Sequence, residues 1–246
     1  MSDKLLNTAE AARFLRVSQA SVRRWSDRGL LLARRVGRRR ERRFTEADLN
    51  HFLGAGSAAR PAAGGRPEVS VGGMAVPVYS HLATFYNTDE GRLRLPIPFF
   101  RDGLRAGDTC FLEAEGAVRD AYLEALAAEE GIDLDAAIDS GALVTADGPG
   151  TTVERALAFW EQAFSRALAR RPTLLRVVGE MASVRHLFES DREMMRYERE
   201  FNLVAKRFPN VTLCQYDARV FDGEVVYEAL MAHPDMYSLR MGSLLS

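Results

Sequence analysis

The chain is poor in the residues on which several classes of protein depend. It contains two cysteines in 246 residues, which excludes a disulfide-stapled scaffold. Cys110 and Cys214 lie in separate apolar runs, and the four histidines are scattered without metal-ligand spacing, so neither a metal site nor a cofactor is expected. No apolar run is long enough to cross a bilayer and no signal peptide is visible, which predicts a cytoplasmic protein without a membrane partner.

Charge is unevenly distributed along the chain. Residues 1–56 carry 13 Lys and Arg against 6 Asp and Glu, whereas the remainder carries 20 against 28. The formal net charge of −1 hides this asymmetry. A basic segment joined to an acidic one predicts that only the first segment contacts nucleic acid.

The basic segment has the pattern of two short helices followed by a hairpin. Thr8 is the expected N-cap of the first helix and Ser18 that of the second, in which the spacing of Val22 and Trp25 predicts that both face inward. The arginine-rich residues 34–43 predict two strands around a turn. This order is typical of a winged helix-turn-helix.

The outward side chains of this pattern suit contacts with DNA. Polar groups on the second helix can reach base edges, and the guanidinium groups of the hairpin suit phosphates or a narrow minor groove. The predicted DNA-binding residues are Ser18, Gln19, Ser21, Arg23, Arg24, Arg38, Arg40 and Arg42. The segment resembles the DNA-binding domain of the MerR superfamily and its excisionase-like relatives, which implies double-stranded DNA as a partner.

Composition predicts three parts along the chain. A winged helix-turn-helix domain is expected at 1–55, a flexible linker rich in Gly, Ala and Pro at 56–76, and a larger domain at 77–246.

In the larger domain, strand-like runs alternate with helical ones. Strands are predicted at 81–86, 109–114, 143–146, 173–178, 211–216 and 237–241, and a long helical stretch at 184–208. This alternation predicts an α/β fold with a mainly parallel sheet and helices on both faces. In such sheets, ligands bind at the carboxyl ends of the strands.

An ATP-binding switch or ATPase of the RecA or KaiC type is the alternative for this domain. Its phosphate-binding loop requires glycines and a lysine. The corresponding strand here runs into Glu113 and Glu115, and the two lysines of the chain, Lys4 and Lys206, lie elsewhere. Carboxylates repel phosphate oxygens, so ATP turnover is not expected and no catalytic residue is predicted.

Residues spread over 79–235 resemble the MEDS sensory domain, a degenerate RecA/KaiC-like fold found in regulators related to the dichloromethane-responsive repressor of methylotrophic bacteria. The residues that carry the resemblance are His81, Tyr86, Gly103-Leu104, Gly107-Asp108, Gly179-Glu180-Met181, Tyr197-Glu198, Asn202, Cys214-Gln215-Tyr216-Asp217 and His233-Pro234. The resemblance implies a sensor of hydrocarbon derivatives or other small organic molecules.

Strand ends and aromatic side chains supply the predicted ligand site of this domain. The residues assigned to it are His81, Tyr86, Glu113, Glu180, Met181, Tyr216 and Asp217. Glu180 is equally suited to cap the following helix, and Asp217 to form a turn. A platform for protein partners, with no small-molecule pocket, is a third interpretation of the domain.

The expected whole is a bacterial transcriptional regulator that is not an enzyme, binds operator DNA and senses a small organic ligand. No long heptad helix follows the DNA module, so a homodimer through the larger domain is expected.

Overall fold

The computed structural model describes residues 5–15, 17, 19–27, 31–37, 41–46, 48, 49, 67–146, 148, 150 and 152–238, with the backbone alone at 21, 24, 237 and 238. The chain forms two compact units, Met1–Pro61 and Ala62–Ser246. None of the helices formed by the described residues is both long and apolar enough to cross a bilayer.

The first unit has the predicted order of two helices and a hairpin. Its elements are β1 (Leu5–Leu6), α1 (Thr8–Leu15), α2 (Gln19–Asp27), β2 (Arg34–Val36) and β3 (Glu41–Thr45). The three strands form an antiparallel sheet in the order β1-β3-β2. Val22 and Trp25 are buried with Phe44 in the core, as their spacing predicts.

Helix α1 begins with a cap one residue earlier than expected. Asn7 Oδ1 accepts hydrogen bonds of 2.9 Å from the amides of Ala9 and Glu10, and the Asn7 amide donates to Glu10 Oε2 at 2.8 Å. This is a reciprocal capping box. The assignment of the cap to Thr8 was therefore wrong, because two good capping residues are adjacent and only the backbone geometry distinguishes them.

The second unit is an α/β domain. Its strands are β4 (Glu68–Val71), β5 (Met74–Pro77), β6 (Ser80–Tyr86), β7 (Thr109–Glu113), β8 (Leu143–Ala146), β9 (Leu175–Glu180) and β10 (Asn210–Asp217). Its helices are α3 (Asp89–Arg94), α4 (Pro96–Ala106), α5 (Gly116–Ala127), α6 (Leu134–Asp139), α7 (Val153–Leu168), α8 (Met181–Val184), α9 (Asp191–Ala205) and α10 (Gly223–Ala232). Residues Arg185–Leu187 and Pro234–Ser238 form 3₁₀ turns.

Five strands form the central sheet in the order β6-β10-β9-β7-β8, and every pair is parallel. This confirms the predicted α/β class. Successive residues of a strand point to opposite faces. We call the side that packs on α7 and α9 the α9 face, since Phe111 contacts Phe164 there and His81 contacts Phe201. The opposite side is the α4 face, where Arg176 reaches the carbonyl of Phe99.

The structure differs from the predicted organisation in three places. The hairpin β4–β5 overlaps the end of the predicted linker, and its Val71 and Val76 pack in the core of the second unit. The long helical stretch is interrupted, because Ser190 caps a new helix by accepting from the Glu193 amide. The last strand was predicted at 237–241, but its first two residues belong to the 3₁₀ turn Pro234–Ser238. Residues 239–241 lie outside the described residues.

Candidate functional site

Helix α2 presents polar side chains opposite its buried ones. Gln19 and Arg23 are exposed, one turn apart, and Arg23 Nη2 donates to Gln19 Oε1 at 3.2 Å. Val22 and Trp25 are buried on the other side. The helix thus offers an amide and a guanidinium on one outward surface, which is the chemistry that contacts base edges and phosphates.

Several of the predicted DNA-binding residues have no described position. Ser18, Arg38 and Arg40 lie outside the described residues, as do the side chains of Ser21 and Arg24. Gly37 follows the first strand of the hairpin and has φ +76°. Such a backbone conformation favours glycine.

Arg42 has a defined partner within the first unit. Its Nη2 donates to Asp27 Oδ1 at the end of α2, and its side chain is only 20% exposed. Arg35, which pairs with Arg42 across the hairpin, lies 3.5 Å from the same carboxylate. Arg42 therefore joins the hairpin to α2 and positions the surface, in addition to any contact with phosphate.

The seven residues predicted as one ligand site lie on both faces of the central sheet. Strand register places His81, Glu113 and Tyr216 on the α9 face. Tyr86, Glu180 and Asp217 point to the α4 face, and Met181 follows at the start of α8. The structure thus gives two groups of polar residues instead of a single convergent site.

On the α4 face, Tyr86 and Glu180 form a buried pair. The Tyr86 hydroxyl donates to Glu180 Oε1 at 2.6 Å, and Glu180 Oε2 accepts from the Ser183 amide at 2.8 Å. Glu180 therefore caps α8, the role that the sequence left open. Burial, together with the carboxylate of Glu180, raises the pKa of Tyr86 well above its ordinary value, so the hydroxyl keeps its proton.

Asp217 belongs to a turn at the end of β10. Its Oδ1 accepts from the Arg219 amide at 2.8 Å, and its Oδ2 lies 2.8 Å from Arg219 Nη2. Arg219 also reaches Asp89 Oδ1 at 2.9 Å. Both carboxylate oxygens of Asp217 are thus occupied by the turn, which favours the alternative interpretation of this residue.

On the α9 face, Glu113 and Tyr216 are buried without comparable partners. Glu113 Oε1 and the Tyr216 hydroxyl form no hydrogen bond. Burial, and then the charges of Glu198 and Glu115, raise the pKa of Glu113 to about 8. A neutral carboxyl and a hydroxyl are both able to donate a hydrogen bond to a polar group of a ligand.

Four further residues meet on the α9 face, which we call the buried tetrad: His81 on β6, Glu198 on α9, Cys214 on β10 and His233 at the end of α10. Their relative exposures are 0, 0, 4 and 0%. One ligand-capable atom from each lies within 4.8 Å of those from the others. Such side chains are rarely buried without a partner or a bound ion.

The tetrad is electrostatically unusual. Burial, and then the neighbouring His233, lower the pKa of His81 to about 4, so its imidazole is neutral near pH 7. Burial, and then Glu198 and Glu113, raise the pKa of Cys214 well above its ordinary value. A neutral imidazole has a free lone pair, and a buried thiol loses its proton when a metal binds.

The tetrad was not predicted as a site, although all four residues occur in the pattern that resembles the MEDS domain. Only His81 was assigned to ligand binding. The residues are spread over more than 150 positions, whereas the expected signal for Cys and His was ligand spacing within a local motif. A signal was present in the apolar surroundings of Cys214 and in the position of His81 at a strand start.

The loop after β7 lacks the groups that hold a nucleotide triphosphate. Glu113 and Glu115 flank its start, and the Glu115 amide donates to Ser183 Oγ at 3.3 Å. Lys206 is engaged elsewhere, where Nζ donates to the Tyr79 carbonyl at 2.6 Å and contacts Asp235. The described part of the chain therefore offers no lysine to this loop.

Comparison with known proteins separates the two units in the same way. Residues 80–234 match the family described as the methanogen/methylotroph DcmR sensory domain, MEDS, and residues 5–57 match a helix-turn-helix domain. The transcriptional repressor DcmR of Methylorubrum extorquens (strain DSM 6343 / CIP 106787 / DM4) is 37% identical over 245 residues, which cover 96% of this chain and 92% of the repressor.

A solved structure described as a DnaB-like replicative helicase and its interactions with primase overlaps 57% of this chain, with 10% identity and a TM-score of 0.39. The chain spans 40% of that helicase. Two domain matches occur in the order helix-turn-helix and then MEDS, and the repressor is related along nearly the whole chain. The chain therefore belongs to the DcmR family of DNA-binding transcriptional regulators, in which a helix-turn-helix domain precedes a MEDS sensory domain.

Proposed function

We propose that this regulator is a cytoplasmic, ligand-responsive protein that acts without catalysis. Its first unit binds operator DNA through α2 and the arginine-rich hairpin, and its MEDS unit senses a small organic molecule of the hydrocarbon-derivative class. Ligand binding shifts the sensor between states that differ in how two copies present their DNA modules.

The observation that carries the proposal is the outward surface of α2. Gln19 and Arg23 lie together over the buried Val22 and Trp25, beside a hairpin rich in guanidinium groups. The related protein is named a repressor. Repression requires an operator, and this surface is the one best suited to read it.

DNA binding is tested by fluorescence anisotropy with a duplex selected by the protein from a random library. Arg23→Ala should weaken binding by about 1–3 kcal/mol and relax the preference at one base position. Arg166→Ala removes the same charge from an exposed position on α7 and should leave binding unchanged. Equal effects of the two substitutions would contradict the assignment of α2.

The hairpin is tested separately by its salt dependence. Neutralising Arg38, Arg40 and Arg42 together should lower affinity evenly across sequences and reduce the slope of log K against log salt by about 1 for each phosphate that is no longer bound. Asp27→Asn releases Arg42 from its intramolecular partner and is the matched control for the positioning role. An unchanged slope in the triple variant would refute phosphate binding by the hairpin.

Ligand sensing is tested by the thermal shift of the full chain with dichloromethane, methanol and, separately, ATP with Mg²⁺. A ligand that binds only the folded state raises the melting temperature, by about 2.7 kcal/mol of stability at 100 times its Kd. We expect a shift with an organic compound that is lost in Tyr216→Phe, since the hydroxyl is available, and kept in Tyr86→Phe, since that hydroxyl is occupied. A shift with ATP alone would favour the nucleotide switch.

The proposed homodimer forms through the sensor unit. Tyr227 and Met231, one turn apart on α10, are 60 and 50% exposed, and this supports α10 as part of the interface. Sedimentation of the full chain should give a dimer, and Tyr227→Glu should dissociate it. A monomer at tens of micromolar would overturn the proposal.

A further inference from the structure

The fold brings the buried tetrad together from four separate elements. His81 and Cys214 lie on adjacent parallel strands, two positions apart in register and on the same face, because Thr212 pairs with His81 and Cys214 with Ala83. Glu198 extends from α9 onto this face, and His233 follows α10. Each element contributes one ligand-capable side chain to the tetrad.

The orientation of His233 is set by its backbone contact. Its Nδ1 lies 2.7 Å from the Ala229 carbonyl oxygen, which can only accept, so Nδ1 carries the proton and donates it. In a neutral imidazole, Nε2 then carries an unshared lone pair. Metal-binding histidines are typically oriented in this manner by a carbonyl or carboxylate at the second ring nitrogen.

Nε2 of His233 faces the carboxylate of Glu198. Nε2 lies 3.2 Å from Glu198 Oε2, and neither atom forms a hydrogen bond. The same oxygen lies 3.2 Å from His81 Nε2, which is itself 3.1 Å from Cys214 Sγ. A neutral His81 can donate one proton from Nε2 to this carboxylate, and any remaining pair of acceptors at such distances repels unless a proton or a metal ion lies between the two atoms.

The spacing fits one tetrahedral ion. Bonds of about 2.0–2.1 Å to nitrogen or oxygen and about 2.3 Å to sulfur place the ligand atoms about 3.3–3.6 Å from each other. The observed separations of 3.1 and 3.2 Å lie close to this range. All four ligand atoms lie within 4.8 Å of one another, so small side-chain movements complete the shell.

We propose that His81, Glu198, Cys214 and His233 coordinate one divalent transition-metal ion of the zinc class. Two imidazole nitrogens, a thiolate and a carboxylate are a borderline-soft donor set, which suits Zn²⁺ and disfavours Ca²⁺ and Mg²⁺. The two anionic ligands balance the dication, so the bound site is neutral in the apolar core.

The ion links strands β6 and β10 to α9 and to the end of α10. Four protein ligands complete a tetrahedral shell, which is the pattern of structural rather than catalytic zinc. Such a site goes beyond the proposed regulatory function and stands without it. Binding of metal is measured without DNA or an organic ligand.

Metal content of the purified full chain is the first test. The protein is prepared with a reductant, passed over a chelating resin and measured by inductively coupled plasma mass spectrometry. We expect one equivalent of a transition metal in the wild-type chain and its absence from Cys214→Ser. Cys110→Ser is the matched control, because Cys110 is equally buried on a strand but its thiol faces the Phe100 carbonyl.

Cobalt gives a spectroscopic test of the coordination geometry and of the thiolate ligand. The chain is stripped with a chelator and reconstituted with Co²⁺ alone. We expect the intense visible bands of tetrahedral Co²⁺ and a near-ultraviolet thiolate-to-cobalt band, both kept in Cys110→Ser, with the thiolate band absent from Cys214→Ser. Zn²⁺ should displace Co²⁺ and raise the melting temperature of the wild-type chain.

Two results would overturn the proposal. One is a wild-type chain that carries no metal when purified and shows no tetrahedral spectrum with Co²⁺. The other is a thiolate band that survives in Cys214→Ser or disappears in Cys110→Ser. If Cys214→Ser does not fold, the wild-type cobalt spectrum and the Cys110→Ser control decide the question.

Discussion

The two faces of the sensor sheet bury polar side chains in opposite ways. On the α4 face, Arg176 Nε donates to Asp108 Oδ2 at 2.8 Å and Tyr86 donates to Glu180 at 2.6 Å. Thr84 Oγ1 and Arg92 Nε are the exceptions among the described residues of that side. On the α9 face, the buried polar atoms without a hydrogen bond belong to His81, Glu113, Trp160, Glu198, Asn202, Tyr216 and His233.

This difference distinguishes structural from binding roles. Satisfied buried networks fix a packing arrangement, whereas a buried donor or acceptor without a partner costs stability. A concentration of such atoms on one face is therefore explained most simply by a group that binds there. Among the described residues, buried polar side chains on the α4 face are mostly hydrogen-bonded, and those on the α9 face are mostly not.

The largest expected effect comes from breaking the buried ion pair of the α4 face. Arg176→Met leaves Asp108 buried without its counter-charge and should destabilise the sensor unit by about 3–5 kcal/mol. Urea unfolding is followed by Trp160 fluorescence in a Trp25→Phe background, since these are the two tryptophans of the chain.

The control for this experiment is Arg207→Met. Arg207 Nη1 pairs with Glu161 Oε1 at 2.7 Å, and both side chains retain contact with solvent. Exposed pairs contribute about 0–1 kcal/mol. Similar destabilisation of the two variants would show that burial of the Arg176 pair has no special role.

An intermediate effect is expected from Tyr86→Phe. The substitution keeps the ring but removes the donor to Glu180, whose carboxylate then keeps only one of its two hydrogen bonds. A hydrogen bond to a charged group contributes about 1.5–3 kcal/mol, and we expect destabilisation of this size in the same unfolding assay. A change of less than about 0.5 kcal/mol would place this pair outside the satisfied network.

The smallest expected effect comes from Tyr216→Phe on the α9 face. This hydroxyl forms no hydrogen bond that the substitution could remove, so the change in stability without ligand should be about 0.5 kcal/mol or less. The pair Tyr86→Phe and Tyr216→Phe thus compares the faces with one identical chemical change. Greater destabilisation by Tyr216→Phe than by Tyr86→Phe would reverse the contrast between them.

Much of the sensor fold could be predicted because its signals are local. Short apolar runs separated by amphipathic ones predicted the five parallel strands, and β8 has the predicted bounds, Leu143–Ala146. The hairpin β4–β5 was missed because its few alternating valines follow a segment dominated by Gly, Ala and Pro. A capping serine inside a helical pattern concealed the division before α9.

The site was less predictable because it depends on register and on helix placement. Tyr86 and Glu180 are 94 positions apart, and His81 and Cys214 are 133 apart. The ends of parallel strands were identified as binding positions, but a strand end has two sides. Alternation along each strand assigns neighbouring residues such as Tyr216 and Asp217 to opposite faces, which composition does not reveal.

Glu180 is the last residue of β9, and its side chain caps helix α8. One carboxylate oxygen accepts a hydrogen bond from the Tyr86 hydroxyl, and the other accepts one from the Ser183 amide in α8. Strand β6 and helix α8 are therefore linked through a single acidic group. Amide hydrogen exchange at Ser183 therefore records the state of Tyr86 across the sheet. A molecule that forms a hydrogen bond with the Tyr86 hydroxyl in place of Glu180 would change the exchange rate of the Ser183 amide without contacting Ser183.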